Sequence, residues 1–174
     1  MIRGMNKPRL YLFVGYPGAG KTTVAQALEE ATGAVHLWAD DERHKMFPNP
    51  THSHQESTEL YERLNERAEE LLKAGKSVIF DTNFNFYNDR EHLRQIAERS
   101  GAEAIVIWVT TPKEISKKRA VQSDMTRNGY EVLMSEQQFD DIVCKLEPPT
   151  ESEKVLKIDG TNFDKQELMR LLSQ

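Results

Sequence analysis

Gly15-Tyr16-Pro17-Gly18-Ala19-Gly20-Lys21-Thr22 is the stretch on which the reading of this chain turns. It satisfies G-x-x-x-x-G-K-[ST] in full. A hydrophobic run, Leu10–Val14, precedes it, and an amphipathic segment carrying Val24, Ala27 and Leu28 follows. Each residue type has a physical reason. Gly15, Gly18 and Gly20 let the backbone turn tightly and bring its N–H groups against phosphate oxygens. A helix starting near Lys21 adds its positive dipole end. Lys21 reaches toward β- and γ-phosphates, and the Thr22 hydroxyl is of the type that ligates Mg²⁺. The expected nucleotide-contacting stretch runs from Gly15 through Thr23, with Tyr16, Pro17 and Ala19 inside it.

Outward from this loop, strand-length apolar runs alternate with longer amphipathic segments. Strands are expected at Leu10–Val14, Val35–Trp38, Ser77–Phe80, Ala104–Thr110 and Val155–Ile158. Their nearly unbroken apolar character suits strands covered on both faces, as in a parallel sheet. A helix over Thr58–Ala74 places Leu60, Leu64, Ala68, Leu71 and Leu72 on one stripe and ends at Gly75. Thr111, Pro112 and Glu114 predict a helix start with a hydroxyl cap, Ser135 with Gln138 a capping box, and Thr161 the opening of a final helix. The alternation predicts an α/β fold, a three-layer α/β/α sandwich with right-handed crossovers. Met46–Glu56 and Ser123–Met134 break the alternation and read as loops able to close over a ligand.

Size and charge restrict the possible functions. The 174 residues predict one domain, 1–174, able to bury a continuous core. Hydrophobic residues make up 38% and charged residues 29%, with 23 basic against 28 acidic side chains and a net charge of −5. That balance argues against a stable nucleic-acid complex, which draws on a basic excess. No apolar run approaches the ~20 residues of a membrane span, so no membrane partner is expected. A single cysteine, Cys144, fits a reducing, cytoplasmic setting and reads as a small buried residue between Ile142 and Leu146. Trp38 and Trp108 fall in strands and are expected in the core.

Two acidic positions stand at strand ends, where ligands of open parallel sheets sit. Asp40-Asp41-Glu42-Arg43 follows Val35–Trp38. Asp40 is either a general base for an acceptor hydroxyl or part of an acidic helix start, and Arg43, three residues on, is placed to hold an anionic group. Asp81 ends Ser77–Phe80 and precedes Thr82 and Asn83. It is either a Mg²⁺ site or a turn former, and the phosphate loop favours the metal. Phosphoryl transfer also needs positive charge on the migrating group. Arg119 and Arg127, in or beside the polar stretch after the fourth strand, are the candidates.

With these blocks in order, the sequence resembles the small P-loop kinases related to the kinase domain of phage polynucleotide kinase, zeta toxins and gluconate kinase. The similarity rests on residues 15–22, Ala39-Asp40-Asp41-Glu42-Arg43 and Phe80-Asp81-Thr82-Asn83-Phe84-Asn85. It implies a five-stranded parallel sheet in the order 2-3-1-4-5, with a lid here falling at roughly 119–135. It also implies Asp40 as general base, Arg43 as an acceptor-phosphate contact, and Lys21 and Thr22 as nucleotide and metal contacts. Lys145-Leu146-Glu147-Pro148-Pro149 looks like a segment recurring in bacterial kinases of this group, which implies a place near the adenine. The activity implied is transfer of the γ-phosphate of Mg-ATP to a hydroxyl on a small molecule or an oligonucleotide. The competing expectation is an ATPase or nucleotide-dependent switch regulating a partner.

Overall fold

The computed structural model describes residues 7–121, 126–127, 130–131 and 134–173. In chain order the elements are β1 (Arg9–Val14), α1 (Lys21–Thr32), β2 (Val35–Trp38), α2 (Ala39–Met46), α3 (His54–Lys73), β3 (Val78–Asp81) and α4 (Tyr87–Arg99). They continue as β4 (Glu103–Val109), α5 (Lys113–Val121), β5 (Thr126–Arg127), β6 (Tyr130–Glu131), α6 (Glu136–Lys145), β7 (Val155–Ile158) and α7 (Lys165–Leu172). Five strands form one sheet in the order β2-β3-β1-β4-β7, and every neighbouring pair in it is parallel. Counting only these five, the order is 2-3-1-4-5, as the resemblance implied.

Strand β1 shows why the sheet lies between two helical layers. Successive side chains point to opposite faces, and Leu10 and Leu12 join a buried cluster with α3 and α4 residues such as Leu60, Leu64, Leu93 and Ile96. Tyr11 and Phe13 join a second cluster with Val24, Ala25 and Leu28 of α1 and Leu168 of α7. A strand buried on both faces has no solvent side to keep polar, which explains the continuous apolar runs.

Several boundaries differ from the sequence expectation. Helix α3 starts four residues before Thr58, because the Ser53 side chain accepts a hydrogen bond from the Glu56 N–H and caps it there. Helix α2 claims Met46, so the irregular stretch before α3 is shorter than Met46–Glu56. The capping box of Ser135 and Gln138 forms as expected. The last helix is capped by Asp164, not opened by Thr161. Thr111 does not cap α5: its buried hydroxyl donates to Ala19 O at 2.7 Å, a contact of long sequence separation that no local rule signals. Cys144 is exposed, on the outer side of α6. The two tryptophans are half-buried, Trp38 stacked on His36 and Trp108 facing the Lys157 ammonium.

Of the expected lid at 119–135, β5 and β6 pair as a short antiparallel ribbon. Residues 122–125, 128–129 and 132–133 of that stretch, and the side chain of Arg127, lie outside the described residues.

Candidate active site

The phosphate loop leaves β1 at its carboxyl end and feeds α1. Gly18 and Gly20 have φ values of 77° and 103°, in the left-handed region that glycine tolerates without strain. Gly18 also lies against α5: a Cβ there would stand 2.4 Å from Ser116 O. Lys21 folds back over the loop, its Nζ donating to Gly15 O at 3.0 Å and Tyr16 O at 2.7 Å. The ammonium is thereby held at the loop's mouth.

Three residues outside the motif hold the loop in shape. Asn85 Oδ1 accepts from the Gly15 N–H at 3.4 Å. Thr111 holds Ala19 from below. Gly160, after β7, fits so closely that a Cβ would come within 2.1 Å of Ala19 O and 2.2 Å of Thr111 Oγ1. Asn85 lies within a block quoted from the sequence, yet nothing there signals its partner. Gly160 follows a strand, as turn glycines do, and its packing role depends on three distant segments.

The acidic block 40–43 is sorted by its partners. Asp41 pairs with Lys45 at 2.6 Å, Glu42 with Arg63 at 3.1 Å, and Arg43 with Glu56 at 2.7 Å. Asp40 is exposed in the first turn of α2, and among the described residues its carboxylate forms no ion pair or side-chain hydrogen bond. The helix N-cap is Trp38, without a side-chain capping bond, and Asp40, Asp41 and Glu42 make up the acidic first turn that is the alternative reading of this block. Arg43 is placed otherwise than its position in sequence suggests. It is buried, with Nη1 on Glu56 and Nη2 on Ser57 Oγ at 3.3 Å, so its charge is met inside the protein and not turned to an acceptor.

Asp81 is buried at the end of β3, and its Oδ2 meets His36 Nε2 at 3.0 Å. The other His36 ring nitrogen lies 3.0 Å from Glu29 Oε2. Burial disfavours the imidazolium, but the bonds to Asp81 and Glu29 outweigh it and raise the histidine pKa above its ordinary value. Arg119, near the end of α5, donates to Gly160 O at 2.9 Å and packs its Cβ over Gly18. It is thus beside the loop, while Lys117 is engaged with Asp140 and Glu136.

Among the described residues, two cavities open at this end of the sheet. One of about 350 Å³ is lined by Gly15, Tyr16, Thr110, Pro112, Leu146 and Pro148, so the Lys145–Pro149 segment does reach the start of the phosphate loop. The other, about 510 Å³, lies between the first halves of α3 and α4, with Tyr61, Thr82, Asn83, Phe84 and Phe86 among its walls. The segment from Thr82 to Asn85 joins this cavity to the loop. Phe84 lines the cavity and donates its N–H to Phe13 O at 2.9 Å, and Asn85 holds Gly15. Arg90, buried in α4, anchors the same segment through Phe84 O at 2.8 Å and ties it to Glu153 and Glu147 O.

A sheet of this order with a phosphate loop after its central strand is the P-loop kinase fold. The chain belongs to the AAA domain family AAA_33, whose model matches residues 10–149. It is similar to the adenylyl-sulfate kinase of Pseudomonas aeruginosa, 34% identical over 119 residues, a match covering 65% of this chain and 59% of that protein. A solved structure from Chloroflexus aurantiacus superimposes with a TM-score of 0.78 at 22% identity, covering 98% of this chain and 97% of the other. The APS kinase of Mycobacterium tuberculosis, solved with AMPPNP and APS, superimposes with a TM-score of 0.63 at 18% identity, covering 97% and 99%. Among the described residues no helix is long and apolar enough to cross a membrane.

Proposed function

We propose that this chain is a small-molecule kinase that transfers the γ-phosphate of ATP to an acceptor hydroxyl. One observation carries the reading. The phosphate loop and the cavity of about 510 Å³ share the Thr82–Asn85 segment, so a donor and an acceptor site stand side by side at the carboxyl end of the sheet. The similarity to adenylyl-sulfate kinase, which acts on a small molecule, supports it. A cavity of this size suits a small acceptor better than an oligonucleotide, as does the net charge of −5.

In this reading the N–H groups of Gly15–Thr22 and the N-terminus of α1 take the phosphates, with Thr23 at the rim. Lys21 exchanges its carbonyl partners for phosphate oxygens. Asp40, the one carboxylate of its block without a partner among the described residues, accepts the hydroxyl proton. Arg119 and Arg127 are the candidates for charge on the migrating group. Thr22 and Asp81 offer the hard oxygen donors that Mg²⁺ prefers, and Asp81 is already buried and oriented by His36. When bound, Mg²⁺ neutralises charge on the β- and γ-phosphates.

The test is transfer of labelled γ-phosphate from Mg-ATP to a panel of small hydroxyl acceptors, with a 5′-hydroxyl oligonucleotide alongside. Transfer to a small molecule that requires Asp40 supports the reading. Phosphate release at the same rate with and without every acceptor would favour the ATPase or switch instead.

A further inference from the structure

The walls of the larger cavity carry more information than its volume. Besides Tyr61, Phe84 and Phe86 they include two carboxylates, Glu62 and Asp89, and two histidines, His54 and His92, and among the described residues no lysine or arginine lines it. Both carboxylates are exposed, and neither forms an ion pair among the described residues. Phe86 is 45% exposed, one of two large hydrophobic side chains left that open among the described residues.

The arginine linked to this wall stands outside the cavity. Ser57 lines the cavity, and Arg43 stands behind it, donating to Ser57 Oγ at 3.3 Å. Its guanidinium is already matched by Glu56, whose carboxylate also accepts from Thr51 N and Oγ1 at 2.7 and 2.9 Å and from His52 N at 3.2 Å. A sulfate, phosphate or carboxylate entering here would find two histidines but no arginine fork to replace its water, and would face two carboxylates. An amine finds both kinds of partner that cations favour, carboxylates and aromatic faces.

We propose that the acceptor is an amine-bearing alcohol with an apolar or aromatic body, its ammonium held by Glu62 and Asp89 and its body by Phe84, Phe86 and Tyr61. This rests on the kinase reading for the location of the acceptor, and adds the charge class.

A matched series tests it: 2-amino-3-phenylpropan-1-ol, 3-phenylpropane-1,2-diol and 3-phenyllactate share one skeleton and differ in carrying an amine, a neutral hydroxyl or a carboxylate. Binding to the full chain is measured by calorimetry with Mg-ADP present, and phosphate transfer is measured from labelled Mg-ATP. The expected result is that the amine binds about tenfold tighter than the diol, and the carboxylate weakest. Glu62→Gln and Asp89→Asn together should bring the three affinities within about twofold. Equal or reversed affinities in the unaltered protein, no measurable binding of the amine, or a preference that survives both substitutions would overturn the proposal. The kinase reading fails separately. Tight amine binding without phosphate transfer to any acceptor would sink that reading while leaving the charge class standing. Transfer to the carboxylate alone would do the opposite.

Discussion

Arg43 Nη1 lies 2.7 Å from Glu56 Oε1, and each of these side chains is only 7% exposed. The pair joins α2 to α3 and fixes the start of the helix that walls the larger of the two cavities. Burial alone would push the Glu56 pKa up. The Thr51 N–H, the Arg43 guanidinium, the Thr51 hydroxyl and the His52 N–H together hold it down at about 2, against an ordinary 4.5. A value lowered by folding means stability that is complete above the ordinary pKa and lost below it. Thermal stability is therefore expected to fall as pH drops from 4.5 toward about 2, and Glu56→Gln should flatten that part of the profile. At neutral pH Glu56→Ala should lower Tm by several degrees, because it leaves a buried guanidinium without its partner. A melting curve unchanged by the substitution would remove the pair from any account of stability.

Lys21→Ala should weaken ATP binding by roughly 10- to 100-fold, the range for a lost charge-assisted contact. Titration calorimetry with Mg-ATP measures it. The fold should be unaffected, since the Nζ bonds at 3.0 and 2.7 Å are to carbonyls of the loop itself.

Asp40→Asn should leave ATP affinity within about twofold and lower kcat by about 10²- to 10⁴-fold, the usual contribution of a general base. Because the carboxylate supports no other side chain among the described residues, Tm should hold. A parallel loss of stability and activity would point to a structural role for Asp40.

Gly160→Ala should cost about 1–3 kcal/mol of stability, the range for overpacking a tight site. A Cβ has no room between Ala19 O at 2.1 Å and Thr111 Oγ1 at 2.2 Å, and both are fixed by other contacts. Since the strain falls on Ala19, ATP binding should weaken too. Denaturant unfolding and ATP titration on one preparation distinguish this from a fault remote from the loop.

Removing the Arg90 charge should destabilise by about 3–5 kcal/mol, the range for breaking a buried pair. Arg90 and Glu153 are 1% and 4% exposed and meet at 2.6 Å. Arg90→Leu tested by urea unfolding gives the figure, and adding Glu153→Leu should recover part of it.

What the sequence made legible follows the range of the forces involved. Strand positions and the glycine loop are local patterns, so Val35–Trp38 and Val155–Ile158 were readable to the residue. Helix ends were less so, because Ser53 and Asp164 compete with other plausible caps and local spacing cannot choose between them. The site divides the same way. Gly15–Thr22 is contiguous and was visible. The partners of Asn85, Thr111 and Gly160 lie tens of residues away and were not. Arg43 shows a limit of a different kind: its motif suggests an outward role, and only the tertiary position of Glu56 turns it inward.

The four residues Thr82–Asn85 link the two halves of the proposed site, with Phe84 in the cavity wall and Asn85 on Gly15. In the reading proposed above, occupancy of one half would be linked to occupancy of the other. An acceptor that shifted Phe84 would in that reading strain or relax the bond to Gly15, and a triphosphate that reshaped the loop would do the same in reverse. Thermodynamic linkage makes the two effects one number, so the factor by which nucleotide alters acceptor affinity equals the factor by which acceptor alters nucleotide affinity.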